Sequence, residues 1–308
     1  MTEERFKELT NEFTELGLIK PDWIDLTGIN RYFYKQIDEI ENEKQKGPLD
    51  SAIYHKQIDE NSRKVQELYR ELSDYKLILY RNGIDLFSFL SNSRFLTKDS
   101  LPITGISEIT IPEGIQWIDD RTFANSDYKH ISFPNTLTRL GESVFSGSDI
   151  EGIVDLSNTH IRILYSKTFV KTPHIQTVLL PVTLKSINSR AFSDSGIEYI
   201  TLPPAVQNID YNAFNHCDKL SLIILNEGLT NIDDNAFVHL PQLKEITLPS
   251  TLNDSTIDRL LRVNTSKSLF DNTGIKIIYL KNKKHYDYII GNRKYKYPKI
   301  ILLDNITK

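Results

Sequence analysis

Apolar positions in the middle of this 308-residue chain recur at a nearly constant interval. Phenylalanine stands at Phe123, Phe145, Phe169, Phe192, Phe214 and Phe237, with gaps of 22, 24, 23, 22 and 23 residues. About twelve residues ahead of each lies an apolar pair with one residue between its members. These pairs are Ile109/Ile111, Ile131/Phe133, Val154/Leu156, Val178/Leu180, Ile200/Leu202 and Ile223/Leu225, with Ile246/Leu248 and Ile278/Leu280 following. Proline comes straight after most of them, at Pro112, Pro134, Pro181, Pro203 and Pro249, and a second apolar pair such as Val206/Ile209 comes next.

The spacing predicts one structural unit per interval. Alternation at Ile200/Leu202 makes a short strand with one buried face, which proline ends by removing a ladder donor. The second pair turns a corner, and the segment around Ala213-Phe214 closes the coil with a large ring pointing inward. One unit cannot bury its own apolar face, but stacked neighbours share a continuous core. Eight strands spaced about 4.8 Å apart would form a parallel ladder roughly 34 Å long.

The full pattern, Leu-x-x-Ile-x-Leu-Pro-x-x-Leu-x-x-Ile-x-x-x-Ala-Phe with cysteine allowed three residues on, resembles the treponemal-type (BspA-like) leucine-rich repeat. Ala191-Phe192, Ala213-Phe214-Asn215-His216-Cys217 and Ala236-Phe237 carry the closing motif, and the resemblance covers about residues 104–280. It implies an α/β fold, a leucine-rich-repeat solenoid with a parallel strand ladder. It also implies a binding protein or adhesin, often on a cell surface, whose repeats carry no enzyme activity. Two departures stand out. The unit at 150–170 has Ser157 where proline is usual and runs long, and the unit at 243–273 carries an insertion with a short helix at Thr256–Val263.

Residues 1–98 precede the repeat and read as a helical region. Thr2 caps a first helix carrying Phe6, Leu9, Phe13 and Leu16, with Gly17 after it. Thr27 caps a second carrying Ile29, Phe33, Ile37 and Ile40. After a break at Gly47-Pro48, a third helix runs from about Ser51 to Arg81 and stops at Asn82-Gly83. Its Ile58, Val65, Leu68, Leu72, Tyr75 and Leu79 keep a coiled-coil-like 3–4 spacing. That seam serves either a helical hairpin capping the solenoid at 99–280, or self-association.

Residues 281–308 form a basic C-terminal cap. Summed along the chain, residues 1–100 carry −4, residues 101–280 carry −6 and residues 281–308 carry +6, for the net −4. Lys281, Lys283, Lys284, Arg293, Lys294 and Lys296 lie among Tyr286, Tyr288, Tyr295 and Tyr297. They read as an anion or nucleic-acid surface, or as lysines protecting the solenoid's last edge, with Ile300–Leu303 as closing strand.

Catalytic chemistry is not legible. There is no Gly-rich phosphate loop, no His-Glu-x-x-His and no Gly-x-Ser-x-Gly. His216 and Cys217 are adjacent and so point apart, and Asp119-Asp120 and Asp233-Asp234 read as turn carboxylates. No catalytic residue, metal or cofactor is expected, and the chain is not read as an enzyme. No apolar run is long enough to span a membrane. The polar start and single cysteine favour the cytoplasm, with a cell-surface or virion location as the alternative.

The strand face offers a different kind of site, because the residues flanking each inward strand position point outward. From the fourth repeat onward Leu179, Tyr199, Leu222 and Ile224 cluster there, with Thr177, Thr201, Glu245 and Thr247 around them. An apolar centre with a polar rim is the anatomy of a protein-binding patch. The expected function is a protein–protein interaction module whose partner is a protein of unknown identity. Nucleic-acid or anionic-surface binding through the tail, and host recognition as an adhesin, are the alternatives.

Overall fold

The computed structural model describes residues 1–20, 23–24, 26–44, 51–81, 94–98, 101, 106–233, 235–261, 273–292 and 299–303. These fall into two compact units: Met1–Ser93 with Thr97–Ile106, and Arg94–Leu96 with Ser107–Lys308. The positions read as breaks at Gly47-Pro48 and Asn82-Gly83 lie outside the described residues, as do Arg293, Lys294 and Lys296.

In the first unit, helix α1 (Glu3–Glu15) is capped by Thr2, whose hydroxyl accepts from Arg5 N–H at 3.2 Å. Gly17, at φ +70°, ends it: its N–H bonds Thr14 O, and Leu18 N–H bonds Phe13 O. This paired closure satisfies carbonyls that the helix leaves orphaned. Helix α2 (Leu26–Lys44) begins before Thr27, so that residue lies inside the helix, and α3 spans Ser51–Arg81. Leu9, Phe13, Ile29, Phe33, Leu72, Tyr75 and Leu79 form the core, with Phe13 edge-on to Tyr32 and Tyr75. Leu72, Tyr75 and Leu79 of the α3 seam are therefore packed within this unit, whereas Leu16, expected inside, is exposed. Lys76 is fully buried on α3 and donates to Leu101 O.

The second unit is the solenoid, a parallel-strand coil as the repeat implies. Its first ladder comprises Glu108–Thr110, His130–Ser132, Gly152–Asp155, Ile175–Leu179, Tyr199–Thr201, Leu222–Ile224, Glu245–Leu248, Ile277–Leu280 and Lys299–Leu302. Pairing is parallel but segmented: the first two pair, then the next two, then the next two, then the last three. The expected unbroken ladder is thus interrupted, although single bonds such as Glu198 N–H to Gln176 O bridge some gaps.

The corner read at the second apolar pair is a second parallel ladder. Its two-residue strands are Phe95–Leu96, Trp117–Ile118 and Arg139–Leu140, then Ile163–Leu164, Ser186–Ile187, Asn208–Ile209 and Asn231–Ile232.

The third side holds the phenylalanine column. Phe123, Phe145, Phe169, Phe192, Phe214 and Phe237 are buried and stacked at centroid spacings of 5.5, 5.0, 5.4, 5.2 and 5.7 Å. Burying each ring contributes about 2–3 kcal/mol, and ring pairing adds about 0.5–1.5 kcal/mol. Residues two before and two after each ring are left-handed, as at Arg121 and Asn125, Lys167 and Lys171, and Asn212 and His216. Alternate N–H groups explain why non-glycine residues accept this. Phe169 N–H bonds Ala191 O in the next coil, while Val170 N–H bonds Lys167 O in its own. Every second donor thus faces the neighbouring coil, and those bonds offset a backbone cost of about 1–3 kcal/mol per residue.

The far end differs from expectation. Helix α4 (Asp254–Leu261) starts two residues earlier than predicted, and α5 (Lys283–Asn292) is a helix that sequence patterning did not suggest. After it, Lys299–Leu302 adds a further parallel strand beside Ile277–Leu280, so the closing strand is present.

Candidate functional site

On the first ladder the central residues Ile109, Val154, Val178, Ile200, Ile223, Ile246 and Ile278 point inward and are buried. Their neighbours therefore face outward, and five large apolar ones among them are exposed. Leu179, Tyr199, Leu222 and Ile224 are 41%, 38%, 52% and 49% exposed, and Ile153 reaches 56%. Tyr199 pairs in register with Leu222, and Thr201 with Ile224, so Tyr199, Leu222 and Ile224 lie on adjacent strands, with Leu179 on the strand one coil earlier. Ile153 extends the patch by one coil; its place in the alternation showed that it faces outward, but the polar rows beside it hid its membership.

Thr177 is a correction. It is buried, and its hydroxyl donates to Tyr199 O at 2.7 Å. The register shifts between Ile175 and Thr177, so the strand carries an extra residue there and Gln176 takes the exposed position. A bulge re-aims side chains in this way, and simple alternation cannot see it. Thr201 and Glu245 are exposed as expected, while Thr247 is half-buried.

The rim is polar. Gln176 Nε2 donates to Glu198 Oε2 at 3.2 Å, and Tyr279 donates its hydroxyl to Glu245 at 3.3 Å. Next to Ile153 the surface sinks into a groove of about 310 Å³ lined by Lys129, His130, Glu151 and Asp155. Lys129 pairs with Glu151 at 3.2 Å, so this groove is internally neutralised.

The basic tail is not a free cationic arm in its described part. Lys281 pairs with Glu227 at 2.7 Å, Lys283 with Asp287 at 3.1 Å, and Lys284 with Asp254 at 2.8 Å. Burial pushes the Glu227 carboxyl up, but hydrogen bonds from Lys281 and Ser250 outweigh it and hold the group below its ordinary range. The hydrogen bond from Lys284 likewise holds Asp254 low. Glu227 and Asp254, earlier in the chain, tie Lys281 and Lys284 to the solenoid, while Asp287 pairs with Lys283 within α5.

Cys217 is buried, donates its thiol to Phe192 O at 3.0 Å, and is pushed up to about 12 by burial. The His216 ring stacks on His239 at 4.1 Å. Asp119 and Asp120 accept from Asp120 N–H and Glu142 N–H respectively, as turn carboxylates do. Among the described residues no cluster of three or more metal-ligating side chains occurs. No helix there is long and apolar enough to cross a membrane.

Residues 84–167, 101–221 and 162–289 match the family described as "BspA type Leucine rich repeat region", in six copies; together they run from 84 to 289, more than half of the chain. No curated protein matches. Similar solved structures include a leucine-rich repeat protein from Bacteroides capillosus, 27% identical over 32% of this chain and 64% of that one, with a TM-score of 0.27. One from Bacteroides ovatus is 18% identical over 64% of this chain and 66% of its own, TM-score 0.35. The T. pallidum leucine-rich repeat protein is 18% identical over 56% and 72%, TM-score 0.33. This chain spans under two thirds of either Bacteroides structure.

Proposed function

We propose, because the chain belongs to the BspA-type leucine-rich-repeat family, that it is an interaction module binding a protein partner through its first-ladder face. The observation that carries this reading is the contiguous exposure of Leu179, Tyr199, Leu222 and Ile224, with Ile153 beyond them. Exposed side chains on a rigid ladder lose little freedom on binding, so more of their buried area is converted into affinity. Tyrosine is a favoured anchor, and Thr201, Glu198 and Glu245 supply the polar surround. The module binds rather than catalyses, and its partner presents a complementary apolar surface.

The test compares wild type with Tyr199→Asp and Leu222→Asp in affinity capture followed by cross-linking. A protein cross-linked to the patch by wild type and lost from both variants supports the reading. Equal recovery from folded variants overturns it.

A further inference from the structure

The interval from Phe145 to Phe169 is 24 residues, against 22 and 23 for its neighbours, and the extra length falls where the second ladder is interrupted. Elsewhere the residue after each short strand donates its N–H to the preceding coil. Asp119 bonds Leu96 O, Gly141 bonds Ile118 O, Asn188 bonds Leu164 O and Asp210 bonds Ile187 O, all at 2.8–2.9 Å. Tyr165, at the equivalent position, makes no such bond to Leu140, and the coils are joined instead by His160 N–H to Leu137 O at 2.7 Å.

A groove of about 590 Å³ opens at this gap, with Trp117, Arg139, His160, Arg162, Ile163 and Tyr165 among its walls. Arg139 lies between two rings, its guanidinium carbon 5.3 Å from the centre of Trp117 and 5.0 Å from that of Tyr165. Phe95, in register on the other side of Trp117, meets that ring edge to face at 4.9 Å. Phe95, Trp117, Arg139 and Tyr165 thus form one pile across four coils, and Trp117 remains 42% exposed.

This arrangement has a defined chemistry. The Arg139 guanidinium lies over both rings, and its N–H donors match a carboxylate bidentately. No carboxylate lines the groove, and neither Arg139 nor Arg162 has an ion-pair partner among the described residues. A nucleobase or sugar needs a bare ring face to stack on, yet Trp117 has Phe95 on one flank and Arg139 on the other. A long polyanion running along the solenoid would also meet the net −6 of residues 101–280.

We propose that this groove is a second docking surface, on a different ladder from the first, and that its occupant is a short extended acidic peptide segment. One carboxylate of that segment is shared by Arg139 and Arg162, and a neighbouring apolar side chain packs against Ile163 and Tyr165. Net positive charge in the groove, unanswered by the protein itself, defines the partner's sign, and the ring edges define the apolar neighbour.

The test uses the full chain with a short fluorescent peptide of alternating glutamate and phenylalanine, followed by anisotropy. Its glutamine counterpart and a thymidine oligonucleotide are run beside it. The glutamate peptide is expected to bind, the glutamine peptide to bind roughly tenfold more weakly or not at all, and the oligonucleotide not to compete. Arg139→Gln and Arg162→Gln should each weaken binding of the glutamate peptide by roughly tenfold. Arg162→Gln leaves the aromatic pile intact and so decides the matter if Arg139→Gln fails to fold. Equal affinity for both peptides, unchanged affinity in folded Arg162→Gln, or tighter binding of the oligonucleotide would each overturn the proposal. Tyr199→Asp and Leu222→Asp should leave peptide binding unchanged, so the two surfaces stand or fall separately.

Discussion

Gly196 lies so close to the main-chain carbonyl of Pro173, one coil earlier, that a β-carbon built on it would collide with that oxygen. The approach is held by Gly196 N–H donating to Thr172 O at 2.9 Å. Gly196→Ala must therefore push two backbones apart, and neither can yield as a flexible side chain would. The expected loss is about 1–3 kcal/mol, as for other overpacked sites, seen as a lower midpoint in denaturant unfolding. An unchanged midpoint would show that the coils can separate there without cost.

Phe192 sits between Phe169 and Phe214 at 5.4 and 5.2 Å, fully buried. Phe192→Ala removes two ring contacts and leaves a cavity in the middle of the column. A loss of about 3–5 kcal/mol is expected. Because each coil touches only its neighbours, hydrogen exchange should quicken most in the coils next to the cavity.

Cys217 is buried, and burial raises its thiol from an ordinary 9.0 to about 12. The folded state therefore holds the proton that the unfolded chain releases first. Its contribution to stability is whole below pH 9 and is lost as pH climbs from 9 toward 12. Cys217→Ser, which copies Ser195 one coil earlier, should lessen that alkaline loss. In the native protein at pH 8, a thiol reagent should react with Cys217 only as fast as the solenoid opens, and promptly in denaturant.

Tyr199 and Leu222 face solvent, so Tyr199→Asp and Leu222→Asp should change unfolding free energy by within about 0.5–1 kcal/mol. Circular dichroism and thermal unfolding check this before any binding comparison. A large destabilisation would mean that these side chains support the ladder and do not form a free surface.

Much of the solenoid was legible because its contacts join residues one repeat apart. A phenylalanine every 22–24 residues, a flanked Ile200 or Ile223 and a following proline each state the same local rule, and stacking multiplies it. The outward positions Leu179, Tyr199, Leu222 and Ile224 followed from strand alternation alone. Thr2 and Gly17 marked the ends of α1 for an equally local reason, since capping involves only a few neighbouring residues.

The tertiary structure decided whatever depends on register between coils. The second ladder uses strands of two residues, too short for alternation to register as a pattern. Arg121 and Lys167 take left-handed backbones that their side chains do not favour, because bonds to the next coil hold them there. Thr177 is buried by a one-residue register shift. Trp117, Arg139 and Tyr165 lie 22 and 26 residues apart, and meet because stacking turns distance along the chain into contact across coils. The repeat determined that the chain would coil; the register of one coil on the next decided which side chains meet at its surfaces.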